Sequence, residues 1–196
     1  WERTASLDRI DSSRGYSANN VRWVHKCVNK VKRSLSAQDL LRYCRLVTRH
    51  GQRISVASGF FDPCHAGHIR YLSAAREIGS YLIVVVNNDK QATLKKGRPF
   101  QADRERAAIV ASFRFVDEVV IATDEDRSIC STLAAIEPAP SFFLNGGDVQ
   151  TPDDCLERET CERLGIKMMF GVGGTRKINS SSKLVAEASS SLSGCK

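Results

Sequence analysis

No apolar run in this 196-residue chain approaches the ~20 residues that a membrane-spanning helix requires. The first residues also lack the charged, apolar and small-residue pattern of a secretory signal. The seven cysteines include no CxxC pair, and the closest two, Cys155 and Cys161, are six apart. An odd count without metal-type spacing argues for reduced thiols in a cytoplasmic protein, and against a disulfide framework or a zinc site. The chain begins at Trp1 instead of a methionine, and its natural N-terminus is expected upstream. Acidic residues are scarce in one region only. Residues 1–50 carry 11 Lys/Arg against 4 Asp/Glu, whereas residues 51–196 carry 18 of each. The whole formal charge of +7 therefore sits in the first quarter of the chain, which marks that segment for polyanion contact and sets it apart from the rest.

From Arg53 onward short apolar runs alternate with helical patterns. "RISVAS" is β-branched, and "HIRYLSAAREIG" spaces Ile69, Leu72, Ala75 and Ile78 on one helical face. "YLIVVVN" is apolar throughout, as in a strand buried on both faces of a parallel sheet. "LKKGRPFQ" reads as a basic loop and "ADRERAAIVASFR" as a helix capped at or near Asp103. "VDEVVIA", "PSFFLNGG" and "IKMMFGV" supply three further strands. "DRSICSTLAAIE" and "PDDCLERETCERLG" supply helices between them, the latter with Pro152 near its start and Gly165 at its end. The serine run 180–182 opens a last helix, and residues 191–196 are expected to form a loose tail. This alternation predicts an α/β fold, a Rossmann-like, doubly wound, five-stranded parallel sheet with right-handed crossovers. The small basic N-terminal extension, residues 1–50, stands outside it, and the α/β domain covers 51–190. Ligands of such sheets bind beyond the carboxyl ends of the strands, where strand order reverses. The loops after strands one, two, four and five hold nearly all the distinctive polar residues.

Two of the four histidines, His65 and His68, lie three apart in "GFFDPCHAGH", where the first strand gives way to a helix. Gly59 and Gly67 permit close backbone approach, and the free N–H groups of the helix start form an anion site. Both imidazoles can face that anion and donate to phosphate oxygens as charge builds in a transition state. Lys95, Lys96 and Arg98 follow the second strand. Arg176, Lys177 and the hydroxyls of Ser180, Ser181 and Ser182 precede the last helix. Two helix starts and two basic loops converging on one crevice favour a nucleoside triphosphate. No third metal-type ligand lies near the histidines, so no protein-held metal is expected.

With these residues in place, "GFFDPCHAGH" resembles the G-x-F-D-x-x-H-x-G-H signature of the nucleotidyltransferase superfamily. The similarity runs from about residue 53 to 188 and includes "VNNDKQATLKKGRP", "ERAAIVASFRFVDEVV", "NGGD" and "GGTRKINSSSKLV". It is nearest to the sugar-phosphate branch, with heptose 1-phosphate adenylyltransferases first and glycerol-3-phosphate cytidylyltransferases next. The resemblance implies attack of an acceptor phosphate on the α-phosphorus of ATP or CTP, with release of pyrophosphate. No covalent enzyme intermediate is needed, so the protein positions and neutralises. It implies that His65 and His68 stabilise the pentacoordinate phosphorus, and that Lys95 or Lys96 contacts phosphates. Phe60, Phe61 and Asp62 would shape the nucleotide side of the loop, Arg106 would support it, and Ser180–Ser182 would hold phosphates or nucleotide. Asn88, Asp89, Asn145, Gly146 and Asp148 are the candidates for acceptor contact. Mg²⁺ would bridge phosphate oxygens with few protein ligands. Asn145 departs from the lysine of "KGGD" in the heptose enzymes, and Asn179 replaces a small or apolar residue.

"LDRIDSSRGYSANNVRWVHKCVNKVK" resembles a truncated or degenerate HNH-type phage homing endonuclease segment. Asp8, Asn20 and Asn29 would fill metal-site places, while Arg9 stands where the general-base histidine belongs. A second reading follows, in which residues 1–50 bind nucleic acid and the α/β part only senses nucleotide. The sequence leaves a homodimer open.

Overall fold

The computed structural model describes residues 4–147, 149, 151–174 and 179–193. The chain divides into two units, Trp1–His50 and Gly51–Lys196.

In the first unit, β1 (Ala5–Arg9) and β2 (Val21–His25) form an antiparallel hairpin in which Asp8 faces Arg22. Two helices follow, α1 (Lys26–Lys32) and α2 (Ala37–Arg49). The Ser36 side chain caps α2 by accepting from Asp39 N–H at 3.0 Å. Among the described residues of this unit the fully buried side chains are polar, namely Asp8, Asn20, Lys32 and Arg49. Lys32 Nζ lies 2.8 Å from Asp8 Oδ1 and also donates to Arg9 O and Ser12 Oγ, while Arg22 pairs with the other Asp8 oxygen. Asn20 ties the intervening turn through Asp11 and Gly15, and Asn29 donates to Ser6 Oγ and Leu7 O. The three residues matched to a metal site are thus occupied by internal contacts. Two cations already neutralise the Asp8 carboxylate.

The second unit is built on a five-stranded sheet of order β5-β4-β3-β6-β7, parallel at every pairing. Its strands are β3 (Ile54–Gly59), β4 (Tyr81–Val86), β5 (Glu118–Ile121), β6 (Phe142–Leu144) and β7 (Lys167–Met169). β4 alternates across the sheet. Ile83 and Val85 pack with Ile54, Val56 and Phe143 on one face, and Leu82, Val84 and Val86 pack with Leu72, Ala75 and Val110 on the other. The first face is covered by α6 (Cys130–Ala134) and α7 (Arg158–Leu164), the second by α3 (Ala66–Ile78) and α5 (Asp103–Ala111). Strand order reverses beside β3, which places the ends of β3, β4 and β6 at the switch point.

Several local expectations are corrected. The segment read as a basic loop begins inside a helix, since Leu94, Lys95 and Lys96 close α4 (Asp89–Lys96), and it is non-helical only from Gly97. Asn88 caps it by accepting from Gln91 N–H at 2.9 Å, and Asn88 N–H donates in turn to Gln91 Oε1 at 3.1 Å. α5 does begin at Asp103, but its capping position is Ala102 and carries no side-chain cap bond. α6 is shorter than its pattern, because Asp124 accepts from the amides of Ser131 and Thr132 and holds the preceding segment as a loop. The pattern from Pro152 splits into a 3-10 turn, Pro152–Asp154, and then α7, because Cys155 turns into the core between them. The last helix, α8 (Ser181–Ser193), runs into the segment expected to be a loose tail. Among the described residues no helix is long and apolar enough to cross a membrane.

Candidate active site

A cavity of about 750 Å³ opens at the carboxyl edge of the sheet and is lined by the ends of β3, β4 and β6. Gly59, Phe60, Phe61, His65, Gly67, His68, Lys95, Lys96, Asn145, Gly146, Ser180, Ser181 and Ser182 all line it.

The two histidines form the start of α3. His65 is its N-cap, and His65 Nδ1 accepts from Gly67 N–H at 3.1 Å. His68 Nδ1 accepts from His65 N–H at 3.2 Å, so the pair makes a reciprocal capping box out of imidazoles. An Nδ1 that accepts carries no proton, which fixes both rings as Nε2–H tautomers on this hydrogen-bond pattern. The rings stack with centroids 3.8 Å apart, and Phe61 packs edge-on to His68 at 5.0 Å. Burial, then the neighbouring His65 and Lys96, push the His68 pKa down to about 3. His68 is therefore a neutral donor near pH 7. Gly67 is required by this packing, since a Cβ there would lie 2.9 Å from His65 Cε1.

α4 carries Lys95 and Lys96 in its last turn, with their ammonium groups 4.6 and 5.8 Å from the Phe60 ring centroid. Lys96 Nζ donates to Asp62 O at 2.7 Å and lies 3.6 Å from Asp62 Oδ2. Burial lowers the Lys96 pKa while Asp62 opposes the shift. Asp62 is buried and accepts from Phe100 N–H and Gln101 N–H, so it braces the loop from behind rather than lining the cavity. Arg106 braces it as well. It is fully buried and donates to Phe60 O, Asn87 O, Gln101 O and Asp89 Oδ1 at 2.7–2.9 Å. One guanidinium thereby locks the ends of β3 and β4 together.

At the other helix start, Ser181 Oγ donates to Pro63 O at 2.9 Å, which ties α8 to the histidine loop. Ser180 Oγ accepts from Lys183 N–H at 3.3 Å. Arg176, Lys177 and Asp148 lie outside the described residues.

Three expected contacts fall away from the cavity. Asn88 spends its amide on Ala122 O and Asp124 O, and its oxygen on the α4 cap. Asp89 pairs with Arg106 at 2.7 Å. Arg98 lies past the end of α4, away from the lining. Conversely, Arg70, Tyr71, Asn87, Arg127, Cys155 and Glu157 line the cavity without having been singled out from sequence. Tyr71 was hidden as one apolar position of α3, yet its hydroxyl donates to Leu144 O at 2.6 Å. Burial pushes the Cys155 thiol up to about 11, so it stays protonated beside Glu157 at 3.4 Å. No group of three His, Cys, Asp or Glu side chains among the described residues could hold a metal ion.

A family model described as cytidylyltransferase-like matches residues 56–185. Bifunctional protein HldE from Pelobacter propionicus is 36% identical over 133 residues, 66% of this chain and 26% of that protein. Bifunctional protein HldE from Shewanella sediminis is 32% identical over 179 residues, 89% of this chain and 33% of its own length. The chain thus spans about a quarter to a third of these relatives. Among solved structures, the lipopolysaccharide core biosynthesis protein from Thermoplasma volcanium superposes with a TM-score of 0.52 at 26% identity, covering 61% of this chain and 94% of that one.

Proposed function

Since the chain belongs to the cytidylyltransferase-like family, we propose that it transfers a nucleotidyl group from ATP or CTP to a phosphorylated sugar or polyol. An oxygen of the acceptor phosphate attacks the α-phosphorus and forms a new P–O–P bridge. The bond from the α-phosphorus to the β-bridging oxygen breaks, and its electron pair leaves with pyrophosphate. The paired imidazoles of His65 and His68 carry this reading. Their Nε2–H tautomers supply neutral donors at a helix N-terminus, suited to oxygens that gain charge as phosphorus becomes pentacoordinate. Lys95 and Lys96 add positive charge to the same cavity, and Ser180–Ser182 offer hydroxyls beside it for the triphosphate. Arg106 acts at a distance, by holding the Phe60 and Asn87 carbonyls in place. Mg²⁺ would arrive on the triphosphate and neutralise its oxygens, because the described residues offer no three-ligand cluster to hold it alone.

The test is pyrophosphate release by the purified chain with Mg·ATP or Mg·CTP and a panel of phosphorylated sugars and polyols. His68→Ala should lower kcat by about 10²–10³, the scale seen when one transition-state donor is removed. Circular dichroism should meanwhile report an intact fold. An undiminished kcat in this variant contradicts the assignment.

A further inference from the structure

The triphosphate leaves part of the cavity wall unaccounted for. α3, α4 and the start of α8 supply the histidines, lysines and serines. Another part comes from the segments flanking α6 and preceding α7, where Arg127, Ile129, Cys155, Leu156 and Glu157 line the cavity.

The Arg127 segment is clamped on both sides. Gln91 has no exposure, and its Nε2 donates to Asp126 O at 2.8 Å and to Ser128 O at 2.6 Å. Asp126 Oδ1 accepts from Ser128 N–H and Ser128 Oγ. Ile129 N–H donates to Glu157 Oε1 at 2.9 Å. These bonds rigidify the backbone around one residue and leave its side chain out of the network. Arg127 is exposed, and no carboxylate among the described residues pairs with it. Among the described acids of the segment before α7, Asp153 pairs with Arg158, Asp154 with Thr151, and Glu157 with the Ile129 amide and the Cys155 thiol. The end of β6 supplies no cation on this side, since Asn145 is neutral and turns its amide toward Cys155 Sγ at 3.9 Å. A guanidinium fork on a rigid segment, uncompensated at the rim of a phosphate-handling cavity, fits an incoming phosphate in bidentate geometry.

We propose that Arg127 binds the phosphate of the acceptor, so that the wall built by α6 and the segment before α7 selects the acceptor while α3 and α8 hold the nucleotide. This assignment rests on the nucleotidyl-transfer reading. Arg127 is then a specificity residue, distinct from the histidines and lysines that face the reacting phosphorus.

Steady-state kinetics of the full chain, with Mg·ATP or Mg·CTP and aldose 1-phosphates or glycerol 3-phosphate as acceptors, tests it. Arg127→Gln should raise the acceptor KM about tenfold or more, the loss expected for one charge-assisted hydrogen bond, and leave the nucleotide KM unchanged. Arg127→Lys keeps the charge without the fork and should fall between. An unchanged acceptor KM overturns the proposal, and so does an equal rise in both KM values. A second measurement is independent of turnover. Phenylglyoxal modification of Arg127, read by peptide mass, should slow in the presence of glycerol 3-phosphate or an aldose 1-phosphate. Protection supports the assignment even if no acceptor in the panel is turned over, an outcome that would count against the transfer reading alone. Absence of protection by every acceptor phosphate overturns the assignment.

Discussion

Replacing Arg106 with methionine keeps most of the side-chain volume and removes every donor. The guanidinium has no exposure and satisfies three backbone carbonyls, those of Phe60, Asn87 and Gln101, as well as Asp89 Oδ1. The Asp89 side chain is 40% exposed, so water can replace its lost partner and that term is small. Of the three carbonyls, that of Asn87 lies in the most buried setting. An orphaned buried acceptor costs roughly 1–3 kcal/mol, and breaking one side of a buried polar cluster about 3–5 kcal/mol in total. At roughly 2–4 °C per kcal/mol for a unit of this size, Arg106→Met should lower the Tm of the second unit by about 6–20 °C. Arg106→Lys should recover part of that loss. Thermal unfolding followed by circular dichroism measures both. Turnover should fall further than stability explains, measured well below the lowered Tm, because the Phe60 and Asn87 carbonyls sit at the cavity. A Tm drop of only a degree or two would refute the view that this residue pins the ends of β3 and β4.

His68 gives a pH signature. Its pKa is held near 3 when folded and rises to its ordinary value of about 6.5 when unfolded, so the unfolded chain binds the extra proton between these limits. That contribution to stability is fully present above pH 6.5 and is lost as pH falls toward 3, amounting to about 2 kcal/mol by pH 5. Urea unfolding of wild type and His68→Asn at pH 7 and pH 5 should show the wild type losing more. The kcat profile of the wild type should carry no acid limb near pH 6.5 attributable to this imidazole. Gly67→Ala should destabilise by roughly 1 kcal/mol, because the new Cβ displaces the His65 ring that caps α3, and should lower kcat for the same reason. Gly146→Ala should destabilise by about 1–3 kcal/mol through overpacking, because its Cβ would lie 2.6 Å from the Tyr71 ring and 3.0 Å from Val172 O. Chemical denaturation measures both variants.

The sheet was legible because its signal is local. β4 is apolar at every position, and the strand-helix alternation indicated both the fold class and the edge at which the cavity opens. The histidine pair was legible as well, since a strand-to-helix turn leaves few places for it to point. α4 was less so. Its sequence is largely polar, and only Gln91 and Ala92 are buried, so periodicity carries almost no information. The usable cue was the Asn88 to Gln91 spacing, a capping box that marks a helix start without any apolar stripe. The box engages Asn88 and the Arg106 pair engages Asp89, so neither lines the cavity. Arg127 gave no cue in the sequence, because the absence of a carboxylate partner among the described residues is a property of the folded chain. The break after Pro152 was hidden for a related reason. A helix-like pattern there yields to the burial of Cys155 and the reach of Glu157 to Ile129.

Transfer of the α-phosphoryl group together with its nucleoside can be followed by labelling. The chain is incubated with ATP or CTP labelled at the α-phosphorus, Mg²⁺ and a phosphorylated sugar, and the products are separated. Label should appear in a nucleotide-sugar product, equal in amount to the pyrophosphate released, with both suppressed together in His68→Ala. Label that appears only in nucleoside mono- or diphosphate, or that stays in the triphosphate with every acceptor, would contradict nucleotidyl transfer.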